Sequence, residues 1–362
     1  MSFFEQMKKK AVETSPKKEE ASSTEPIKQS VIEMVAPKKD EMVSQAPSVK
    51  SDTVASPKPQ VTTESTKPHS STSAIDNAVG KKFVVGIDLG TTHCVLSYAD
   101  ITDGGDDFTQ QVMGISQLTS PSVIEEKLQL PSFLYQAHSA ELPENSIVLP
   151  WNAKPEHIVG EIARNLGSKT PIRLVSSAKS WLCHAGVDCK SPILPPDAPD
   201  DVARISPFQA TQAYLEHMSA AWLRLHPNAP LNQQDLVITV PASFDPAARE
   251  LTVEAARSVG LGQAILLEEP QAALYSWIDQ THGEWRKQAK TGDIILVIDV
   301  GGGTTDLSLI AVTEKEGVLD LTRIAVGNHI LLGGDNMDLA LAYTVKAKIE
   351  KEGKRLEPWQ VQ

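Results

Sequence analysis

One strand-turn-strand pattern occurs twice in this 362-residue chain, and it restricts the possible folds more than any other feature. The first copy is FVVGIDLGTTHCVLSYA at 83–99, and the second is IILVIDVGGGTTDLSLIAV at 294–312. Each copy has an apolar strand with an aspartate near its end (Asp88 and Asp299), then a glycine turn, a Thr-Thr pair and a second strand. A whole unit of this kind rarely repeats by chance, so the sequence predicts two related halves, each beginning with a hairpin.

The two turns have the composition of a phosphate-binding site. Glycine has no Cβ, so the backbone N–H groups of the turns can approach anionic oxygens closely, and the threonine hydroxyls add donors. Asp88 and Asp299 suit Mg²⁺, a hard cation that takes one or two carboxylates and keeps several waters. A single glycine turn is typical of an ordinary hairpin, but two matched turns favour a nucleotide polyphosphate clamped from both sides. The turn residues are Gly90, Thr91, Thr92, Gly301, Gly302, Gly303, Thr304 and Thr305.

Two commoner phosphate motifs do not fit the sequence. A P-loop fails around Gly80, because Ile75 stands where the first glycine belongs and Lys82 stands where Ser or Thr belongs. A dinucleotide fingerprint fails in the GGG run, because Asp306 stands where its last glycine belongs.

Between the two copies the pattern alternates between strand and helix. DLVITV at 235–240 is typical of a buried strand, and apolar residues at helical spacing predict a helix over 246–259. The segment 263–277 predicts a short strand, an acidic turn at 268–270 and a helix that starts just after the proline. This order predicts an α/β fold with connections long enough for parallel strands.

Residues 1–80 differ in composition from the rest of the chain. They contain 11 lysines and 11 acidic residues, with Phe3 and Phe4 as their aromatic residues. Such a segment buries too little apolar surface to offset chain entropy, so the sequence predicts a disordered tail. The start MSFFEQMKKK could also be a short docking or membrane-touching segment, but a frayed terminus is the preferred interpretation.

Charge and cysteine content exclude several classes of protein. The chain has 34 basic and 46 acidic residues, which argues against a general nucleic-acid binder. Its apolar runs are too short for a membrane-spanning helix, and no signal-peptide pattern is expected, so we predict no membrane association and a cytoplasmic location. The three cysteines, Cys94, Cys183 and Cys189, fit a reducing compartment. The spacing of Cys183-His184 and Cys189 matches no usual zinc motif.

The motifs and their order resemble the actin-like ATPase superfamily and, within it, the DnaK-type heat-shock chaperones (the heat shock protein 70 family). VPASFD at 240–245 and EEPQAA at 268–273 are similar to the chaperone branch rather than to sugar kinases or actin relatives. The other matching segments are VVGIDLGTTHCVLS at 84–97, LPSFL at 130–134, VGEIAR at 159–164, SSAKSWL at 176–182, LVIDVGGGTTDLSL at 296–309 and LLGGDNMDLAL at 331–341.

The resemblance implies an actin-like ATPase fold, which is a duplicated ribonuclease H-like fold, and a role in hydrolysing ATP to ADP with Mg²⁺. Asp88 and Asp299 would hold Mg²⁺ through water. Lys179 would lie beside the γ-phosphate, Glu269 would orient the attacking water or act as base, and Thr304 would complete the catalytic set. Phosphate contacts would come from Gly90, Thr91, Thr92, His93, Gly301, Gly302, Gly303, Thr305 and Gly334.

The resemblance also implies coupling between the ATPase and other parts of such a chaperone. Pro241 and Arg249 match positions tied to communication with the substrate-binding domain. Unfolded clients and co-chaperones would bind through a C-terminal part that the family has and this chain lacks.

The departures from the family pattern point to a divergent branch. His93 replaces an aromatic or amide residue, Thr305 replaces a phenylalanine and Gln271 replaces a threonine. No adenosine motif follows residue 341, so we expect a truncated second lobe and the N-terminal part of a larger protein. The predicted organisation is a tail at 1–80, a first lobe at 81–278, a linker or insertion at 279–293 and the start of a second lobe at 294–362.

Two other functions stay open at this point. A small-molecule kinase of the same superfold would share both hairpins. A non-catalytic interaction module would keep the hairpins without binding nucleotide.

Overall fold

The structure is a computed structural model that describes residues 81–102, 109–138, 140–184, 186–196, 198–315, 318–327, 330 and 332–356. The tail predicted over 1–80 lies outside the described residues. The strands are β1 (Phe83–Leu89), β2 (His93–Asp100), β3 (Gln111–Val112), β4 (Ile115–Ser120), β5 (Val123–Lys127), β6 (Leu130–Pro131), β7 (Leu134–Tyr135), β8 (Ile158–Val159), β9 (Leu174–Val175), β10 (Asp235–Val240), β11 (Ile265–Glu268), β12 (Ile294–Val300), β13 (Thr305–Lys315) and β14 (Val318–Val326).

The α-helices of the described residues are α1 (Glu161–Gly167), α2 (Ala178–Leu182), α3 (Pro207–Leu225), α4 (Pro246–Ser258), α5 (Glu269–Gln280), α6 (Trp285–Gln288) and α7 (Gly334–Lys351). Short 3-10 turns occur at Pro171–Arg173 and Leu231–Gln233. Within the described ranges, no helix has the length and apolar character that crossing a membrane requires.

The central sheet has the strand order β11-β10-β1-β2-β3, and β6 also pairs with β2. β10 runs parallel to both β1 and β11, whereas β1 and β2 form an antiparallel hairpin. The strand, the helix and the parallel pairing predicted between 235 and 259 are therefore confirmed. Alternate residues of β1 are buried, and Val85, Ile87 and Leu89 face the core.

Helices α3 and α4 pack together, and α3 contributes much of the main core. The start of α3 is fixed by a capping box. The Ser206 hydroxyl accepts a hydrogen bond from the backbone N–H of Gln209, and the side-chain Oε1 of Gln209 accepts one from the backbone N–H of Ser206. Farther along α3, Trp222 is fully buried and packs edge-on against Phe83 at 5.3 Å between ring centres. The core thus joins the central sheet to the helix that follows the cis Leu194-Pro195 segment.

A C-terminal sheet contains β12, β13 and β14 in antiparallel order. The segment predicted as a linker, 279–293, carries the short helix α6, and its buried Trp285 packs with Val312 of β13. This segment therefore adds to the core beneath the C-terminal sheet. β12 alternates between exposed and half-buried residues, and α7 has no buried residue.

One local expectation about the central sheet was wrong. The structure has no separate acidic turn at 268–270, because β11 ends at Glu268 and α5 begins at Glu269. Pro270 lies in the first turn of α5, where its missing N–H has no helical partner to lose. The consequence is that Glu269 is the first helical residue, directly at the end of a strand.

Candidate functional site

The two glycine hairpins face each other across one cleft. Asp88 is the sixth residue of β1 and Asp299 is the sixth residue of β12, so both carboxylates leave their strands at the same point. The hairpins approach closely, because a Cβ at Gly302 would overlap the side chain of Thr92. A larger residue at 302 would push the hairpins apart. The cleft has a volume of about 570 Å³, and its walls include Asp88, Gly90, Thr91, Thr92, His93, Lys179, Glu269, Asp299, Gly301, Gly302 and Thr304.

Register shows that the two threonine pairs are not equivalent. Leu89 pairs with Cys94 in the first hairpin, and Val300 pairs with Thr305 in the second, so four residues form each loop. Thr304 therefore corresponds in position to His93, and Thr305 corresponds to Cys94. The sequence matched the pairs by residue type, but the two extra glycines of the second loop shift its threonine pair by two positions.

Lys179 and Glu269 form a buried ion pair on one wall of the cleft. Lys179 lies on the short helix α2, and its Nζ donates to Oε1 of Glu269 at 2.6 Å. Their side chains are 16% and 17% exposed. Burial acts to lower the pKa of Lys179, but the nearby Glu269 and Asp88 carboxylates outweigh it and raise that pKa. Burial also raises the pKa of Glu269 despite the lysine, which makes this carboxylate a better proton acceptor than an exposed one.

The two strand-end aspartates sit among other polar groups. Burial raises the pKa of Asp299, and the nearby Asp306 carboxylate raises it further. Asp88 accepts a hydrogen bond from the Thr239 hydroxyl at 2.7 Å, which fixes the orientation of its carboxylate. Thr304 donates to Asp306 at 3.1 Å. The cleft therefore concentrates negative charge beside a single buried lysine, a pattern that a bound cation would relieve.

Five predicted residues lie outside the walls of this cleft: Gly303, Thr305, Gly334, Pro241 and Arg249. The Thr305 hydroxyl donates to the Leu332 carbonyl, as its position in the strand ladder allows. The Gly334 amide donates to the Gly301 carbonyl, so it is already engaged within the protein. The structure therefore brings together most of the predicted phosphate residues but gives these two other partners.

Sequence reasoning missed several polar residues at the same place. The Ser180 hydroxyl is buried with no hydrogen-bond partner among the described residues, and a Cβ at Gly303 would overlap it. Ser177 has a left-handed backbone (φ 52°), and its hydroxyl donates to Asp335 at 2.7 Å. Both serines lie within two residues of Lys179, so their position in the sequence beside a candidate catalytic lysine could have identified them.

The donor set fits magnesium held through water. Among the described residues, no three His, Cys, Asp or Glu side chains are placed to ligate one metal ion directly. Asp88 and Asp299 nevertheless line the same cleft as the hairpin amides. Mg²⁺ commonly takes one or two carboxylates together with substrate phosphates and waters, and this arrangement supplies that number of carboxylates.

The fold and the cleft together define a class of protein. Helices flank a mixed sheet, and a second sheet presents a matching hairpin to the same polar cleft. Paired glycine hairpins of this kind are suited to a polyphosphate held between two lobes.

Comparison with known proteins gives the family. The model of the family described as "Hsp70 protein" matches residues 149–357, which is more than half of the chain. The chain belongs to the Hsp70 family, and its domain has the actin-like ATPase fold, as the motifs predicted.

Individual relatives agree with this assignment. The chain is 31% identical to the "Chaperone protein HscA" of Edwardsiella ictaluri over 275 residues, which cover 72% of this chain and 37% of the relative. It is 30% identical to the HscA chaperone of Proteus mirabilis over 74% of this chain and 38% of that relative. An HscA homologue of Aliivibrio salmonicida is 28% identical over the same shares. The chain thus spans well under half the length of these curated relatives.

Proposed function

We propose that this chain binds Mg-ATP in the cleft between the two hairpins and hydrolyses it, as the ATPase domain of a DnaK-like chaperone. The observation that carries the proposal is the convergence of Asp88, Asp299, Lys179 and Glu269 on one cleft walled by both glycine loops. These four residues lie far apart in sequence and come from three different parts of the fold. A pair of hairpins with a purely structural role would not require a buried lysine and three carboxylates in the cleft between them.

The glycine loops bind and orient the polyphosphate in this proposal. Both four-residue loops line the cleft, and the hydroxyls of Thr91 and Thr92 with the loop amides that have no partner inside the protein would donate to the phosphates. Ser132 holds the first loop from behind by donating to the Gly90 carbonyl at 2.8 Å. Glycine is required at 90, since a Cβ there would overlap the carbonyl oxygen of His93.

Lys179 and Glu269 carry the chemical step. Lys179 places a positive charge where negative charge gathers on the transferred phosphoryl group, and the buried site strengthens that interaction. Glu269 orients the attacking water and accepts its proton, for which its raised pKa suits it. Mg²⁺, held through water by Asp88 and Asp299, would supply further neutralisation of phosphate charge.

The wider role rests on the family. The relatives of Edwardsiella ictaluri and Proteus mirabilis are chaperones by name, which supports coupling of ATP turnover to protein folding, with clients and co-chaperones bound through other parts of such a protein. Arg249 supports a place in that coupling, because it is fixed by bonds to the carbonyls of Phe244 and Ala242 and to Glu268. Pro241, which directly follows β10, lies next to the same carbonyls.

Calorimetric titration of the full chain with ATP tests the proposal. We expect heat with Mg²⁺ present, a much weaker signal with the metal removed, and loss of the Mg²⁺-dependent part in Asp299→Ala. Asp338→Ala is the matched control, since Asp338 is an exposed aspartate on α7. A single-turnover assay with labelled ATP then measures hydrolysis.

Each result separates the functions left open by the sequence. Absence of heat at millimolar ATP in the wild type would contradict nucleotide binding and favour an interaction module. Hydrolysis that appears only when a small hydroxyl compound is added would favour a kinase. Equal binding by the wild type and Asp299→Ala would remove this aspartate from the metal site.

A further inference from the structure

A buried glutamate joins two arginines immediately before Glu269. Glu268 ends β11, and its side chain is 11% exposed. Its Oε1 accepts from Nη2 of Arg249 at 2.8 Å, and its buried Oε2, which has no hydrogen bond among the described residues, forms an ion pair with Nη1 of Arg323 at 2.5 Å. Both carboxylate oxygens therefore face a guanidinium. A carboxylate this deeply buried needs such partners to remain charged.

The two arginines belong to different parts of the molecule. Arg249 lies on α4 and is held to the central-sheet part of the molecule by the carbonyls of Phe244 and Ala242. Arg323 lies on β14 of the C-terminal sheet, opposite Ile310 of β13. The contact between Glu268 and Arg323 is thus a tie between the sheet that carries Asp88 and the sheet that carries Asp299.

Glu268 is also joined by a peptide bond to the residue that lines the cleft. It is the N-cap residue of α5, and Glu269 is the first helical residue. A displacement of Glu268 at the strand end must therefore move the first turn of α5 and the Glu269 carboxylate with it. α5 itself packs against β12, β11 and β10, so this helix contacts both sheets.

We propose that Arg323 is a positioning residue for hydrolysis, acting through Glu268 on Glu269; this rests on the proposed ATPase function. Arg323 reaches Glu268 only while the C-terminal sheet lies against the end of β11. Glu269 then has its working position only in that arrangement, in which both hairpins also wall the cleft. The tie makes proton acceptance by Glu269 depend on the closure of the two sheets.

The chemistry of the tie explains why an arginine is needed. Arg323 places a permanent positive charge against Oε2, while Arg249 already occupies Oε1. Without Arg323, the second oxygen keeps its charge in a buried position and must turn toward another donor or toward water. Either movement rotates the strand end that carries Glu269.

The full chain tests the proposal with four variants: Arg323→Met, Arg323→Lys, Glu268→Gln and the double variant Arg323→Met/Glu268→Gln. Single-turnover hydrolysis and Mg-ATP affinity are measured for each. For Arg323→Met we expect the rate to fall about 10- to 100-fold, as displacement of a catalytic group by about 1 Å does. Affinity should change less than about threefold, because the phosphate loops are untouched. Arg257→Met, an exposed arginine on α4, is the matched control.

Two further results are expected of a positioning residue. Arg323→Lys should recover part of the rate, because it restores the charge without the planar group. The double variant should be no slower than the slower single variant, because both remove the same tie. A rate in Arg323→Met equal to that of the control, in a chain whose wild type hydrolyses ATP, would overturn the proposal while leaving the ATPase function intact.

Hydrogen exchange gives a readout that does not depend on ATP. In Arg323→Met, backbone amides of β14 and of the first turn of α5 should exchange faster, while those in the middle of α3 should not change. If the wild type shows no hydrolysis, the ATPase proposal fails, and positioning of Glu269 for hydrolysis fails with it. Unchanged exchange in α5 would overturn the tie itself.

Discussion

Lys179→Met offers the sharpest test of the electrostatics of the cleft. The substitution keeps the length of the side chain and removes its charge. Glu269 then loses its 2.6 Å partner while its side chain stays 83% covered, in a cleft that also contains Asp88 and Asp299. Removing one partner of a buried ion pair costs more than the pair contributes, because the remaining charge is left without compensation.

The size of the stability loss depends on how deeply the pair is buried and on whether Glu269 binds a proton. Breaking a buried pair costs about 3–5 kcal/mol, and partial exposure places this one near the lower end, at about 3 kcal/mol. For a domain of this size, that corresponds to a fall of about 6–12 °C in Tm. Protonation of Glu269 neutralises the uncompensated charge and removes part of this cost. Protonation becomes more favourable as the pH falls.

The sign of the pH dependence is determined by the direction of the pKa shift. Burial raises the pKa of Glu269 above its ordinary value of 4.5, and loss of the lysine raises it further. Between the unfolded and folded pKa values the folded state binds more protons, so stability falls as the pH rises through that window. The deficit of Lys179→Met should therefore be larger at about pH 8 than at about pH 5, where protonation of Glu269 offsets part of it.

Thermal unfolding followed by circular dichroism at both pH values measures this deficit. Lys179→Met/Glu269→Gln is the matched control, since it also removes the uncompensated charge and should regain most of the lost Tm at the higher pH. Glu269→Gln alone should be milder than Lys179→Met, because Lys179 keeps the carboxylate of Asp88 nearby. A deficit that is the same at both pH values, or that the double variant does not reduce, would refute the reasoning.

Two further predictions concern stability away from the cleft. His217 is buried, its Nε2 bonds to the Ser116 carbonyl at 3.0 Å, and burial lowers its pKa from 6.5 to about 4. The unfolded chain gains a proton first on acidification, so the wild type should lose about 3 kcal/mol between those pH values, and His217→Gln should lose less in a urea titration series. Asp245→Ala removes the N-cap bond to the Ala248 amide and should cost about 1 kcal/mol at neutral pH, whereas a cost near zero would show that the cap is unimportant.

Local patterns made much of the fold predictable from sequence. The hairpins carrying Asp88 and Asp299 are read from neighbouring residues, because a strand with a glycine turn has a distinct period and composition. The position of Thr305 in its hairpin was harder to predict. Residue type aligned it with a loop threonine, whereas the strand register places it in the ladder opposite Val300. The residue types in a turn indicate its chemistry, whereas the register of the two strands depends on how many residues form the loop.

Partners that are distant in the chain were accessible only through resemblance or through the structure. Lys179 and Glu269 are 90 residues apart, and the motifs of the family placed both at one site before their contact was known. Arg323 lies in none of the matched motifs, and Glu268 begins the EEPQAA segment with no role of its own implied there, so nothing in the sequence pairs the two residues. Hydrophobic periodicity does not predict such a pair, because its two members lie on different sheets.

Among the described residues, several contacts join the two sides of the cleft. Ser177 bonds to Asp335 at 2.7 Å, Glu268 contacts Arg323, and α5 packs on β12. A single hydrogen bond contributes about 1 kcal/mol net, so the bond from Ser177 to Asp335 by itself holds the two sides only weakly. A polyphosphate that touches both hairpins binds the closed arrangement more tightly than the open one, and it shifts the equilibrium by that difference. If the cleft binds a polyphosphate as proposed, a variant that strengthens the contacts between its two sides should respond less to the ligand.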